Sequence, residues 1–307
     1  MVSEIRKDYF LNKYVIITPS RSKRPREVKI ARPTHPANCP FCPAGIEKNL
    51  IIKAYHQVKK GPKWSIIVLK NKYPVVTLNN HKSYGRHEVI IETPNHGKEL
   101  SELKSEEMIN LLNVFKERTK ELSKKPKIDY VLIFKNEGGK AGASLNHAHS
   151  QVFASRILPP DLLEEFGAMR QYQKKHRRCP YCDIIKKEEK SSRRVYTDKN
   201  IVAFTPYASA YHYETWIFPR RHIDNIIFFN KEETASLAGV LKKILTKIYK
   251  MNLSYNFFLH QVISEKNQHF YLKIQPREAV WGGLELGSGL IVNSLSPEKA
   301  AKYLRIN

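Results

Sequence analysis

The sequence predicts an α+β protein in which one module, an antiparallel sheet packed by helices, is built twice in tandem. Three observations predict it. A Cys-Pro-aromatic-Cys unit occurs twice, as Cys39-Pro-Phe-Cys42 and Cys179-Pro-Tyr-Cys182. After each unit comes an apolar, strand-like stretch ending in a turn and a histidine. These stretches are His87-Glu-Val-Ile-Ile-Glu-Thr-Pro-Asn-His96 and Tyr213-Glu-Thr-Trp-Ile-Phe-Pro-Arg-Arg-His222. Each histidine then leads to a helix with apolar residues at three- and four-residue spacing, over 105–122 and 231–249.

The remaining elements repeat in the same order. Trp64-Ser-Ile-Ile-Val-Leu and Tyr73-Pro-Val-Val-Thr-Leu read as strands that answer Arg194-Val-Tyr and Asn200-Ile-Val-Ala-Phe. Tyr130-Val-Leu-Ile-Phe and the stretch from His147 to Val152 answer Asn256-Phe-Phe-Leu-His-Gln and His269-Phe-Tyr-Leu-Lys-Ile. The boundary is expected near 160–176, after Leu158-Pro-Pro, giving modules over 1–165 and 166–307.

Composition narrows the function classes. No apolar run is long enough to span a membrane. The start, Met1-Val-Ser-Glu-Ile-Arg-Lys-Asp, lacks the apolar core of a secretion signal, so a cytoplasmic protein is expected. The net charge of +24 implies affinity for anions. It carries no aromatic-interleaved basic stripe, so nucleic acid is not the expected partner. All four cysteines fall in the two Cys-x-x-Cys units, which in a cytosolic chain reads as metal binding or a redox pair. Cys39 follows the proline-broken stretch Arg32-Pro-Thr-His-Pro, a loop rather than a strand, which favours zinc. Two ligand sets in the same chain order result: Cys39, Cys42, His96 and His147, then Cys179, Cys182, His222 and His269. Cys₂His₂ sets with no open position are structural zinc sites, so about two zinc ions per chain are expected. The scattered His35, His56, His81, His176, His212 and His260 have no such partners and read as ordinary residues.

The halves differ at one place. His147-Ala-His149-Ser-Gln151, behind the small-residue loop Gly142-Ala143-Ser144, alternates so that its polar side chains share one face of a strand. Such a strand suits an imidazole nucleophile facing a phosphate; a plain metal pair is the alternative on spacing alone. In the second half Tyr271 stands where His149 would be, Lys273 answers Gln151, and the small-residue loop is missing. One active centre per chain is expected.

These residues resemble the galactose-1-phosphate uridylyltransferase branch of the histidine-triad superfamily, over nearly the whole length. The stretches that carry the resemblance are Thr18-Pro-Ser-Arg21-Ser-Lys-Arg24-Pro, Cys39-Pro-Phe-Cys42, Asn71-Lys-Tyr-Pro, His87 to His96, Phe134-Lys-Asn136-Glu-Gly, Gly142-Ala-Ser144 and His147 to Gln151. Gly282-Gly-Leu-Glu285-Leu-Gly-Ser-Gly-Leu-Ile-Val-Asn293 is similar to the family's hexose-binding end. The resemblance implies two histidine-triad-like modules and a ping-pong transfer. His149 would attack the α-phosphorus of UDP-glucose, releasing glucose 1-phosphate, and galactose 1-phosphate would then take the uridylyl group. It implies that Gly142, Ser144, Asn136 and Gln151 contact the phosphates with help from Arg21 and Arg24. Phe41, Asn71, Lys72 and Tyr73 would hold base and ribose, and Glu285 the sugar hydroxyls. It also implies a homodimer. Gln151 donates hydrogen bonds but supplies no proton, which suits transfer between phosphates rather than hydrolysis. His-Ala-His departs from the family's usual His-Pro-His. The tail also resembles a branch with nucleoside-diphosphate-sugar phosphorylases, which use inorganic phosphate as acceptor and in some cases ADP-glucose as donor. A rival of another class is a zinc-containing nucleotide- or RNA-binding protein without turnover.

Overall fold

Alternating apolar residues in two strands at the centre of the molecule join its halves into one sheet. In this computed structural model, which describes residues 3–23, 38–55, 64–263 and 268–306, the first half contributes β3 (Ile51–Tyr55), β4 (Ile66–Lys70), β5 (Gly85–Ile91), β6 (Tyr130–Glu137) and β7 (His149–Ser155). The second half contributes β8 (Arg194–Thr197), β9 (Ile201–Phe204), β10 (Thr215–Pro219), β11 (Tyr255–His260) and β12 (Tyr271–Pro276). Their order is β3-β4-β5-β7-β6-β11-β12-β10-β9-β8, ten strands in which the second half retraces the first in reverse. The fold is α+β as expected, but the two module sheets are fused. β6 and β11 pair antiparallel, Asn136 facing Asn256 and Phe134 facing Phe258, so neither module leaves its central edge open.

One face of this sheet is covered by α1 (Ser105–Ser123) and α4 (Lys231–Lys250), within a residue of the spans read from periodicity. Their apolar stripes, including Leu112, Phe115, Leu241 and Ile244, form the main core with Ile90, Val152, Phe257 and Leu272 from the strands. A capping box starts α4: Asn230 Oδ1 accepts from the Glu233 N–H at 2.8 Å, and the Glu233 carboxylate accepts from the Asn230 N–H at 2.9 Å. The opposite face carries α2 (Pro160–His176) and α3 (Pro180–Glu188) over the second half. It carries the loop around Phe41 and Ile46 over the first.

A small sheet departs from the simple two-module plan. β1 (Glu4–Lys7) pairs with β2 (Tyr14–Ile17), and β2 pairs in parallel with β13 (Ile291–Asn293) from the far end of the chain. The short helices α5 (Gly283–Ser288) and α6 (Pro297–Leu304) flank β13. The expected strand over 73–78 is instead a loop with a single bridge, Thr77 to Tyr84. Pro74 has no N–H to offer a ladder, and the Tyr73 N–H is taken by Asn71 Oδ1 at 2.8 Å. The first strand of the module is β3, whose mostly exposed pattern hid it.

α1 is locked to β5 by a buried ion pair. Arg118 donates from Nε and Nη2 to the Glu88 carboxylate at 2.8 and 2.9 Å, with both side chains almost wholly buried. Arg118→Met leaves Glu88 with only the partly exposed Arg86, 3.1 Å away. That substitution is expected to lower unfolding free energy by about 3 kcal/mol in urea titration, the low end for a broken buried pair. Adding Glu88→Leu should recover most of the loss; no recovery would show that the pair itself stabilises the fold.

Candidate active site

Two turns and a strand edge build a four-ligand cage beside the start of β7. Cys39 and Cys42 are drawn together by a turn in which the Cys42 N–H donates to the Cys39 carbonyl at 3.2 Å. His96 comes from the turn after β5, and His147 from the residues just before β7. The four ligand atoms lie within 4.8 Å of one another. His147 Nδ1 is 3.6 and 3.7 Å from the two sulfurs, and His96 Nδ1 is 3.3 Å from Cys42 Sγ. Tetrahedral zinc with ordinary Zn–S and Zn–N bonds puts such atoms about 3.5 Å apart, so the cage has the size and donor set for that ion. His147 is aimed by its other nitrogen, which donates to the Thr93 carbonyl at 2.8 Å.

His149, the first residue of β7, is buried on the sheet face turned away from α1 and α4. Its Nδ1 donates to the His147 carbonyl at 2.8 Å, which leaves the Nε2 lone pair free of the proton. Burial, followed by the positive charge of Lys135, pushes the imidazole down to about 4. It is therefore neutral near pH 7, as a nitrogen nucleophile must be. Phe41 packs edge-on against it, ring centroids 5.0 Å apart. Behind the strand Lys135 is fully buried, 2.8 Å from Glu92, 3.5 Å from Glu99 and 3.4 Å from the His149 carbonyl oxygen. Burial disfavours its charge, but these carboxylates outweigh that and raise its pKa. Ser150 donates to the other oxygen of Glu92. Partial burial, with Glu99 close by, raises Glu137 to about 8.

The wall around His149 is made of amides and a glycine-bounded loop. Gln151 follows on the same face of β7, and Asn136 stands on the neighbouring strand beyond Phe134, the residue opposite Gln151. Asn136 Oδ1 accepts from Asn256 at 2.8 Å, so its amide nitrogen is left for the loop and the site. The loop between β6 and β7 begins and turns on Gly138 (φ 79°) and Gly142 (φ 81°). A Cβ at Gly138 would also meet Ser254 Oγ at 2.3 Å. Ser144 is exposed on this loop. Arg21 lies in the short 3₁₀ turn Pro19–Lys23, and Arg24 falls outside the described residues. Asn71 is half-buried beside His87, whereas Lys72 is exposed and paired with Glu47 at 2.7 Å, and Tyr73 is 80% exposed. Glu285 is held by its own helix start, accepting from the Gly282 N–H at 2.9 Å. It shares with Asn136, Asn256 and Lys273 a cavity of about 1080 Å³ that does not reach His149.

Comparisons with known proteins show the family. The family model described as galactose-1-phosphate uridyl transferase, N-terminal domain, matches residues 1–159, and the C-terminal domain model matches 165–280. The chain belongs to the galactose-1-phosphate uridyl transferase family. It is 30% identical to ADP-glucose phosphorylase of Arabidopsis thaliana, over 98% of this chain and 92% of that protein. It is 29% identical to galactose-1-phosphate uridylyltransferase of Thermotoga maritima, over 98% of each. The crystal structure of the Arabidopsis phosphorylase with bound ADP-glucose superposes with a TM-score of 0.86 at 29% identity, covering 100% of this chain and 99% of that one. A uridylyltransferase structure gives 0.76 at 28% identity, covering 99% and 97%. The coarse activity follows: an enzyme of this family, a nucleotidyltransferase or phosphorylase.

The second half keeps the frame of the first but not its polar face. Tyr271 replaces His149 and stacks on His260 at 4.4 Å. Lys273, in the register position of Gln151, lays its ammonium over the Trp216 ring at 4.8 Å. Cys179, Cys182 and His222 cluster as their counterparts do, with Cys182 Sγ 3.4 Å from His222 Nδ1. A hydrogen bond from Cys182 pulls the Cys179 thiol down to about 5 against the effect of burial. His269 is not gathered into that cluster. Its ring centroid is 5.0 Å from His222, matching the 5.1 Å between His96 and His147, but it is turned. Nδ1 donates to the Phe270 carbonyl at 3.0 Å, and the buried Nε2 has no hydrogen-bond partner among the described residues.

Sequence reasoning missed three groups at the first site. His87, Lys135 and Glu92 all sit inside stretches that read as ordinary strands, and only a charged residue in an apolar run marked the last two. His212, read as ordinary, links Glu278 at 2.5 Å to Ser294 at 2.9 Å and so ties the tail to the second half.

Freshly purified, reduced protein is expected to carry about two zinc ions per chain by elemental mass spectrometry. Cys39→Ser and Cys179→Ser should each remove one ion and lower the melting temperature, because ligand binding is coupled to folding. Metal-free protein with a Cys39–Cys42 disulfide would contradict this.

Proposed function

We propose that the chain transfers a nucleotidyl group from a nucleoside diphosphate hexose to a phosphate acceptor, by double displacement through His149. The observation that carries the reading is the bond from His149 Nδ1 to the His147 carbonyl, which leaves a neutral imidazole whose Nε2 carries a lone pair. Nε2 attacks the α-phosphorus, the bond to the β-phosphate oxygen breaks, and hexose 1-phosphate leaves with that electron pair. A phosphate oxygen of the acceptor then attacks the same phosphorus and returns His149 to its free form. Phosphoryl chemistry of this kind depends on positioning and on spreading oxygen charge. Gln151, Asn136, Ser144 and the loop from Gly142 supply neutral donors; Arg21 and Arg24 supply positive charge. Phe41, Asn71, Lys72 and Tyr73 face the nucleoside and Glu285 the sugar. Catalysis belongs to residues 1–165, and 166–307 supplies the frame and the tail. Zinc at the Cys39 cage would hold His147, and with it the His147 carbonyl, in place; no step passes through it.

Uridylyl transfer from UDP-glucose to galactose 1-phosphate is the first reading, supported by the family models and the uridylyltransferase relatives. ADP-glucose with inorganic phosphate as acceptor is the second, favoured by the higher structural similarity to the Arabidopsis phosphorylase. Mixed with the correct nucleotide sugar alone, the enzyme should release about one hexose 1-phosphate per chain and then stop. Comparing UDP-glucose with ADP-glucose names the base. Adding galactose 1-phosphate or phosphate restarts turnover and names the acceptor. Continuous release of nucleoside monophosphate without an acceptor would mark a hydrolase, and no release from either sugar would favour a binding protein. Gln151→His is expected to slow transfer and admit slow hydrolysis.

A further inference from the structure

His87 is buried on β5 and plays no part in the chemistry described above. Val89, two residues on, faces Gln151 in the β5–β7 register, so His87 is the diagonal neighbour of Gln151 on the site face of the sheet. His87 Nε2 lies 2.9 Å from Gln151 Oε1. A backbone donor meets Nδ1, and the Asn71 amide lies along the ring edge. The Val75 N–H points at Nδ1 from 3.4 Å, and the Asn71 side-chain nitrogen is 3.4 Å from Nδ1 and 3.2 Å from Nε2. The Asn71 N–H also donates to the His87 carbonyl at 3.0 Å, and Asn71 Oδ1 accepts from the Tyr73 N–H.

The Val75 N–H decides the assignment of protons, because a backbone donor cannot be turned over as a side-chain amide can. With a donor at Nδ1, that nitrogen is the acceptor and Nε2 carries the hydrogen. A donating Nε2 fixes Gln151 Oε1 as its acceptor, so the amide NH₂ is the end left facing the phosphate site. Turned over, Gln151 would present a carbonyl oxygen to an anion. Burial lowers the His87 pKa and so supports its neutral form.

We propose that His87 is a positioning residue that sets the amide direction of Gln151 and couples it to the nucleoside-facing loop 71–75. The proposal rests on the nucleotidyl-transfer reading for its consequence, but not for its geometry. A nucleotide that orders Asn71 and Val75 holds His87, and His87 holds the donor that meets the phosphate. Recognition of the nucleoside is thereby tied to competence for transfer.

The first test needs no substrate. Nitrogen-15 spectra of the zinc-loaded full-length protein should show His87 as the Nε2–H tautomer near neutral pH, and Gln151→Ala should release it into a tautomer mixture. A wild-type Nδ1–H tautomer overturns the proposal. The second test is a double-mutant cycle on the first half-reaction. His87→Phe is expected to slow hexose 1-phosphate release by about 10- to 100-fold, no more than the loss of a transition-state donor. Zinc content should be unchanged and nucleotide-sugar affinity altered less than about threefold. In a Gln151→Ala background the same change should cost nothing further, and His87→Gln, which keeps a donor, should recover part of the rate. An equal loss in both backgrounds overturns the proposal. If wild-type protein reacts with no nucleotide sugar, the functional reading fails while the tautomer still decides the role of His87.

Discussion

The hydrogen bond from His149 Nδ1 to the carbonyl of His147 is the constraint on which the site depends. It decides which nitrogen of His149 carries the proton and which the lone pair, and it is only as fixed as the carbonyl that receives it. That carbonyl belongs to a cage ligand whose ring is anchored by Thr93 and faces Cys39 and Cys42. From behind, Lys135 approaches the His149 carbonyl and ties the strand to Glu92 and Glu99. A fully buried ammonium is costly without partners, and here it is matched by two carboxylates, of which Glu92 also accepts from Ser150. Two residues apart in sequence, His147 thus belongs to the cage, and His149, under the proposed function, to the transfer.

Duplication explains why the molecule supports this rigidity. The two halves meet at β6 and β11, so the half that carries His149 gains a paired central strand instead of a free edge. The second half fills the equivalent face with Tyr271, Trp216 and Phe218, and lays Lys273 over Trp216 and Tyr271. Polar groups that would bind phosphate in one half became a packed aromatic layer in the other.

Much of this was legible in the sequence because it repeats or alternates. The helices α1 and α4 followed from apolar spacing, and the first cage from the order Cys-x-x-Cys, His, His. Other features had no local signature. β3 is an exposed edge, and 73–78 imitates a strand until the absent Pro74 N–H and the Asn71 side chain are counted. The pairing of β2 with β13 joins opposite ends of the chain, which no local pattern reports. His87 looked like one polar residue in an alternating strand; its partners come from 64 residues away at Gln151 and from the 71–75 loop. His269 shows the same limit, since its place in the order is clear from sequence but its ring orientation depends on the Phe270 carbonyl.

The most direct test of the account is to find the atom that carries the nucleotidyl group. Protein treated with labelled nucleotide sugar, kept alkaline and digested, should yield one modified peptide. Fragmentation should place the group on His149, and the linkage should survive alkali and be lost in acid as a phosphoramidate. Label on Ser144, or transfer at a normal rate by His149→Ala, would contradict it.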